Sequence, residues 1–172
     1  MTNTLTRSKL MSYSHDNIFD TINNRSNVSD PKNPNNLIRK FVYKNDPFSK
    51  GNDYDGHPYI IVRFPKIEYD NVSVDGNHKN IMFSCELTVR TAMGGAVNDS
   101  GSAGITDMNS IIDDLHETFN SQTVKDELRL LSMYNFNIMT VENDEFVDSN
   151  GKHIFESILE LNFMTRMKTG AS

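Results

Sequence analysis

The sequence contains no tryptophan, a single cysteine and no long uninterrupted apolar run. A lone cysteine excludes a disulfide within the chain, and Cys85 lies in an alternating apolar segment, where a buried, unreactive thiol is expected. No stretch approaches the roughly 18 apolar residues that a membrane-spanning helix requires, and the first residues lack the charged-then-apolar order of a signal peptide. We therefore expect a protein that folds in the cytoplasm and is not inserted in a membrane.

Positive charge is also scarce, because 17 Lys and Arg residues stand against 23 Asp and Glu residues, for a formal net charge of -6. A protein that holds a phosphate backbone needs a basic surface, so sequence-specific nucleic-acid binding is not expected. A length of 172 residues suits one hydrophobic core. We divide the chain into an N-terminal helix and polar connector over residues 1–36 and a single α+β domain over residues 37–172.

The N-terminal region carries one helical pattern. Residues 16–24 place their apolar side chains on one face, and Ser14 is positioned as the N-cap. The Asn- and Ser-rich stretch that follows contains two prolines and predicts a polar connector. The apolar residues 41–43 then predict a short edge strand.

Strand patterns dominate the middle of the chain. The apolar run at residues 58–64 predicts a strand buried on most of both faces, and the Asp-Gly-Asn triplet at 75–77 is typical of a hairpin turn. The return strand alternates strictly over residues 81–90, which is the clearest strand signal in the sequence. Its predicted inward set is Ile81, Phe83, Cys85, Leu87 and Val89.

Residues 92–104 hold four glycines among small and polar residues, which predicts a long, mobile loop. An amphipathic helix follows, because apolar residues recur every three or four positions with acidic residues between them. Its apolar stripe is Ile105, Met108, Ile112, Leu115 and Phe119. A second helical segment is expected over about residues 124–132.

Two alternating segments complete the chain, one at residues 134–138 and a longer one from residue 155 to about residue 167, with a turn at 148–151. Helices placed between groups of strands indicate an antiparallel sheet of four or more strands with helices packed on one face, plus an extended hairpin arm. The predicted fold class is therefore α+β. Because so long a final strand presents a row of backbone groups, we expect self-association to cover it.

The polar groupings form no recognisable catalytic or metal site. His116 and Glu117 lack the second histidine of a zinc motif, because Asn120 stands four residues after His116. The carboxylates of Asp113, Asp114 and Glu117 leave a divalent-ion site open, although a solvent-facing helix surface is the simpler interpretation.

The glycine-rich loop runs from a strand into a helix but lacks the lysine of a phosphate-binding loop. Asp53, Asp55 and Asp75 lack the glutamate that completes a calcium loop, so turns explain them better. No set of Ser, His and Asp can be nominated from five scattered histidines. We therefore expect no catalysis, no cofactor and no metal.

The elements run from an N-terminal helix through the hairpin return IMFSCELTVRTA and the helix ITDMNSIIDDLHETF to the closing strands YNFNIMTVEND and HIFESILELNFMTRM. In this order the chain resembles the tail terminator, or tail-completion, proteins of long-tailed bacteriophages. The resemblance covers roughly residues 15–168 and rests on element order, without an invariant motif. The long polar N-terminal region through Asn36 departs from the family pattern.

The resemblance implies a structural virion protein of the tail and neck region, assembled in the host cytoplasm. Its role would be to form a homohexameric ring that caps the tail tube, ends tube polymerisation and offers the surface for head joining. The implied partners are further copies of the chain, the tail tube protein and a head-completion or neck protein. The candidate interface residues are Gly94, Gly95, Val97, Asn98, Asp99, Tyr69, Val72 and Asp75.

Two alternatives remain open. A head-completion or neck connector subunit is also a ring former, and the same sequence features fit it. A small ligand-binding or enzymatic domain with a pocket beside the glycine loop is the alternative from another class. The scarcity of convergent titratable residues counts against that second alternative.

Overall fold

The computed structural model describes residues 7–25, 28, 41–47, 56–72, 78–93 and 103–168. Within these ranges the chain forms three α-helices and six strands. In chain order they are α1 (Arg7–Asp20), β1 (Val42–Tyr43), β2 (Tyr59–Val62), β3 (Lys66–Val72), β4 (His78–Ala92), α2 (Ala103–Asn120), α3 (Gln122–Leu130), β5 (Met133–Val147) and β6 (His153–Lys168). A π-helical turn, Thr21–Arg25, continues α1.

The six strands form one mixed sheet, and the predicted α+β class is confirmed. The strand order is β1-β2-β4-β6-β5, and β3 pairs with β4 as well. Residues 87–90 of β4 face β2, whereas residues 79–84 face β3, so β2 and β3 follow one another along the same edge of β4. The sheet is antiparallel except between β1 and β2, which are parallel.

The final strand lies inside the sheet. β4 and β6 pair over their lengths, from His78 opposite Lys168 to Ala92 opposite Ile154, and β5 pairs with the other edge of β6. The expectation that the final strand exposes a row of backbone groups is therefore wrong, because two strands of the same chain cover it. Within the described residues, the long strand with an unpaired outer edge is β5.

One hydrophobic core joins the sheet to the helices. The inward side chains of the central strands and the apolar sides of all three helices form a single cluster of buried residues. The predicted inward set of β4 is confirmed, because each of its five side chains is 0% exposed: Ile81, Phe83, Cys85, Leu87 and Val89. A smaller cluster, made of Tyr43, Tyr59 and Ile61, lies on the opposite face at the β1 and β2 end.

The apolar stripe of α2 is rotated slightly from the predicted one. Met108, Leu115 and Phe119 are buried as expected, but Ile111 is fully buried in place of Ile112, and Ile105 is 42% exposed. Steps of three, four and four residues from Met108 lead through Ile111 to Phe119, which is the spacing of one helical face. Ile105 and Ile112, seven residues apart, lie together at one margin of that face.

Four stacked phenylalanine rings connect the sheet to α2. Phe83 of β4 stacks on Phe163 of β6 at 5.4 Å between ring centroids, and Phe163 stacks on Phe136 of β5 at 5.7 Å. The ring of Phe136 lies 5.8 Å from that of Phe119 on α2. Offset aromatic pairs add about 0.5–1.5 kcal/mol each beyond their buried area, so the stack fixes α2 against the three strands.

The N-terminal helix begins nine residues before the predicted start. α1 extends from Arg7, and Ser14, predicted as the N-cap, lies in its interior and is fully buried. Leu10, Ser14 and Ile18 are four residues apart and lie on the same buried face of the helix. The small polar Ser14 interrupts the apolar pattern there, so the pattern suggested a helix start where the helix in fact continues. Leu10 and Ile18 both contribute to the main core.

Gly104 belongs to the first turn of α2 and not to the predicted loop. A Cβ atom at this position would lie 2.8 Å from the ring of Phe155 and 3.0 Å from the backbone of Ala92, so glycine allows the helix to approach the sheet. The Thr91 hydroxyl donates a hydrogen bond of 2.6 Å to the Gly104 carbonyl. Residues 94–102 of the predicted mobile loop lie outside the described residues.

The position of Leu115 at the centre of the core generates a stability prediction. We expect Leu115→Ala to lower the free energy of unfolding by about 2–5 kcal/mol, because it leaves a cavity beneath the sheet. Chemical denaturation measures the change. Leu130→Ala is the matched control, because Leu130 is 87% exposed and should cost less than about 0.5 kcal/mol. Equal effects of the two substitutions would contradict this packing.

Candidate assembly surface

The structure describes only part of the predicted interface. Gly94, Gly95, Val97, Asn98, Asp99 and Asp75 lie outside the described residues. Tyr69 and Val72 belong to β3, where they face Met82 and Lys79 of β4. This portion of the predicted arm is thus a strand of the main sheet. The extended hairpin arm itself is not established, because the residues at its tip, 73–77, are outside the described ranges.

The face of the sheet opposite the helices carries a shallow polar groove. It has a volume of about 430 Å³ and crosses from β3 to β5, with the lining residues Glu68, Met82, Asn135, Asn137, Glu160 and Asn162. The Asn162 amide donates a hydrogen bond of 2.8 Å to the Glu160 carboxylate. Amides both donate and accept hydrogen bonds, whereas ionised carboxylates only accept them. A wide groove with this lining is suited to contact with a polar surface.

The outer edge of β5, unpaired within the described residues, is exposed over much of its length. From residue 139 to residue 145 every side chain is exposed, including Met139 at 43% and Val141 at 57%. The pairing with β6 is irregular between Thr140 and Glu142, which is consistent with a β-bulge. A strand edge of this length offers backbone donors and acceptors to a further strand.

The alternating pattern predicted only residues 134–138 of this strand, and the segment YNFNIMTVEND, quoted for the resemblance, reaches residue 144, whereas the structure extends the strand to Val147. The polar run from Glu142 to Glu145 breaks the apolar alternation that the prediction used. A signal was nevertheless present, since β-forming residues stand on both sides of that run, at Val141 and at Phe146. Strands that face water on both sides carry no hydrophobic alternation.

An ionic cluster around Arg90 connects three parts of the sheet, and it too was missed. Arg90 forms a salt bridge through Nε with the Glu156 carboxylate of β6. Its Nη1 donates hydrogen bonds of 3.3 Å to Asp46 and 3.2 Å to the Tyr59 hydroxyl. The side chains of Arg90 and Glu156 are only 18% and 15% exposed. These partners come from distant parts of the chain, and no local spacing connects them.

Burial and hydrogen bonding act in opposite directions within this Arg90 cluster. Burial alone would lower the pKa of Arg90, but hydrogen bonds to Tyr59 and Glu156 raise it overall, so the guanidinium remains charged. Burial raises the pKa of Tyr59, and the hydrogen bond from Arg90 offsets part of that rise. The Arg90 guanidinium is therefore already paired with carboxylates, so the cluster is a structural element. We call Arg90, Glu156, Asp46 and Tyr59 together the Arg90 clamp.

Cys85 lies in the core with its thiol directed at the backbone. Its Sγ donates a hydrogen bond of 3.1 Å to the Arg63 carbonyl, and the residue is fully buried. Burial, followed by the negative charge of Glu86, raises the pKa of the Cys85 thiol to about 12. Since the thiolate is the nucleophile, this cysteine is poorly suited to covalent chemistry.

The acidic groups considered as metal ligands lie on surfaces or outside the described ranges. Asp113 and Glu117 are exposed on α2, and Asp114 is partly buried. Asp53, Asp55 and Asp75 are not among the described residues. In the part of the chain that the structure describes, no group of three or more His, Cys, Asp or Glu residues is placed to hold a metal ion.

None of the helices in the described ranges has the length and apolar character needed to cross a membrane. No protein-family model matches the chain, and a search of curated proteins gives no match.

The burial of Cys85 predicts slow thiol labelling. At pH 8 a thiol reagent should modify the native protein far more slowly than the unfolded protein, because the thiolate would have to form inside the core. A variant with Thr123→Cys on the exposed surface of α3 is the control and should gain one rapidly reacting thiol. Rapid labelling of the native wild-type chain would show that the position of Cys85 is wrong.

The Arg90 cluster predicts a large effect of removing its cation. We expect Arg90→Met to lower the free energy of unfolding by about 1–3 kcal/mol, because the carboxylates of Glu156 and Asp46 each lose their contact with the guanidinium in a half-buried setting. Arg129→Met is the control, since the pair of Arg129 and Asp126 is exposed and should contribute less than about 0.5 kcal/mol. Thermal or chemical unfolding compares the two, and an equally small loss would argue against a clamp.

Proposed function

We propose that this chain is a structural virion subunit that assembles with further copies into a ring, caps the phage tail tube, ends its polymerisation and offers the surface for head joining. The observation that carries the proposal is a long sheet whose helices all pack on one face. The polar groove on the other face and the β5 edge remain accessible. A sheet with one solvent-facing side has surface available for neighbouring subunits.

The chemistry of the polar groove supports a role in contact and not in enclosing a ligand. Ligand pockets are usually concave and enclose most of the surface of their ligand. This groove is open and shallow, and its lining of two glutamates, three asparagines and Met82 is spread over four strands. Such a surface can form hydrogen bonds with another polar surface over a broad area.

The charge of the chain supports the same proposal. A ring at the head-to-tail junction surrounds a passage for DNA, and a subunit with a net charge of -6 has no general attraction for the phosphate backbone. The acidic groove residues Glu68 and Glu160 add to this on the exposed sheet face. Specific contacts between subunits, and not nucleic acid, would then hold the ring.

The packed sheet and the connecting segments have different roles in the proposed subunit. The clamp at Arg90 and the phenylalanine stack hold the sheet and α2 as one body. The glycine-rich segment 94–102 connects the end of β4 to the start of α2, beside Gly104. We propose that this segment and the turn at 73–77 make the contacts with the tube or with a neighbouring copy.

The experiment that tests the proposal measures assembly and capping together. We expect the purified chain to form rings of six copies, visible in negatively stained images and matched by the mass in solution. In infected cells, loss of the protein should give overlong tails or tails without heads. A chain that remains a monomer at every concentration, with unchanged infection after its removal, would contradict the proposal.

A deletion within the glycine-rich segment tests whether this segment makes the capping contact. Removing residues 98–102 should leave circular dichroism and thermal unfolding unchanged, because the segment contributes no large apolar side chain to the core, yet it should impair capping. Replacement of the same residues by a Gly-Ser segment of equal length is the matched control for loop length. If tail length and head joining are normal in both variants, the contact lies elsewhere.

A further inference from the structure

The turn that joins β5 to β6 contains the one Asn-Gly pair of the sequence, Asn150 and Gly151. Both residues are exposed, and the side-chain amide of Asn150 makes no hydrogen bond within the described residues. Gly151 has a φ of 77°, in the left-handed region that other residues rarely adopt. A Cβ atom at this position would meet no atom within 4 Å, so the space around the glycine is open. The turn therefore favours glycine directly after an exposed asparagine.

An asparagine that precedes glycine can react with its own backbone. The Gly151 nitrogen, after giving its proton to hydroxide, attacks the side-chain carbonyl carbon of Asn150 and forms a new C–N bond. The bond from that carbon to the amide nitrogen breaks, and the amide leaves as ammonia with a proton from water. Water then opens the resulting succinimide ring at either carbonyl and yields aspartate or isoaspartate. In total one water is consumed and one ammonia is released.

Asp148 holds the reacting segment in the folded turn. Its backbone carbonyl accepts a hydrogen bond of 3.0 Å from the Gly151 N–H, which keeps the proton on that nitrogen. Its carboxylate accepts hydrogen bonds of 2.8 Å from the Asn150 N–H and 2.9 Å from the Lys152 N–H. The bond from Lys152 is the main cause that lowers the pKa of the Asp148 carboxyl, so this group is ionised at neutral pH.

The reaction therefore requires the turn to open, because the Gly151 nitrogen is engaged while the turn is closed. Residues 149–152 are all exposed, so hydrogen bonds to Asp148, and not packing, hold the turn closed. Segments with few buried contacts open locally at a small cost in free energy. Removal of the bonds to the Asp148 carboxylate should make such opening more frequent.

We propose that Asn150 is a site of spontaneous deamidation in the folded chain, and that Asp148 limits its rate by holding the turn closed. Asp148 is a positioning residue, because it acts through the Gly151 nitrogen. Every other asparagine precedes a residue that carries a side chain, which hinders attack by the following nitrogen. The proposal concerns bonds within one hairpin and does not depend on the proposed ring.

Conversion at position 150 would change the turn in two ways. It places a second carboxylate two residues from the ionised Asp148, and repulsion between them disfavours the closed turn. Isoaspartate also adds one carbon atom to the main chain between the groups that the turn brings together. The neighbouring strand pair, Val147 opposite His153, then loses support, so its amide hydrogens should exchange faster in aged protein.

The test follows residue 150 by peptide mapping with mass spectrometry during storage at mildly alkaline pH. In the folded wild-type chain, conversion of Asn150 should be at least about fivefold slower than in denaturant, because the turn must open first. Asp148→Ala should raise the folded rate at least about threefold, because two hydrogen bonds to the turn are lost. Asp148→Asn keeps a side-chain oxygen that accepts the same bonds and should remain within about twofold of the wild-type rate.

Two controls separate the hydrogen bonds from the chemistry of the neighbouring residues. In denaturant the wild-type chain and both variants should convert at equal rates, because no turn remains to be held. Asn109, which is exposed on α2 and precedes Ser110, is the reference inside the same molecule and should convert more slowly than Asn150. Circular dichroism verifies that each variant is folded, and peptide fragmentation assigns each conversion to its position.

The outcomes decide both parts of the proposal. A folded wild-type chain in which Asn150 converts no faster than Asn109 overturns the site. Equal folded rates for the wild-type chain and Asp148→Ala overturn the role of Asp148, as does a difference that persists in denaturant. The expected order of rates, with protection restored by Asp148→Asn, supports the proposal.

Discussion

The antiparallel pairing of β4 with β6 is the interaction on which the rest of the structure depends. It extends from His78 opposite Lys168 to Ala92 opposite Ile154, and every other long strand is attached to one of these two. The inward side chains of the pair also form the surface on which α2 packs, at Leu87, Leu159 and their neighbours. Without this pair, β3, β5 and α2 would each lose the surface that they pack or pair against.

A difference between the two faces of the sheet follows from this pairing. Residues alternate along both strands, so one face receives Phe83, Leu87 and Leu161, while the other receives Glu86, Arg90 and Glu160. Helices cover the apolar face because burial of its side chains drives folding. The charged face is held locally by the Arg90 clamp at one end and is exposed in the polar groove at the other. The same strands therefore provide a rigid core and an accessible surface.

The sequence predicted the parts of the fold in which burial alternates, and missed those in which it does not. Strict alternation predicted the inward face of β4. The predicted apolar stripe of α2 differs from the observed one at one position, because apolar spacing alone does not distinguish Ile111 from Ile112. The exposed second half of β5 gave no such signal. The central position of β6 was also missed, since alternation shows which face is buried and not which strand lies beside it. Of the candidate interface, only Tyr69 and Val72 fall on a described strand, and the Arg90 cluster depends on contacts between distant residues.

The central place of β6 has a consequence for the synthesis of the chain. A ribosome completes β4 about 60 residues before it begins β6, so β4 has no partner on that edge while α2, α3 and β5 are being made. During this interval α2, the next element to emerge, can shield the apolar face of β4, with Gly104 allowing its close approach. Closure of the sheet must wait for the last strand to insert between β4 and β5. Such late, long-range closure slows folding and leaves the newly made chain dependent on its first helix for protection from aggregation.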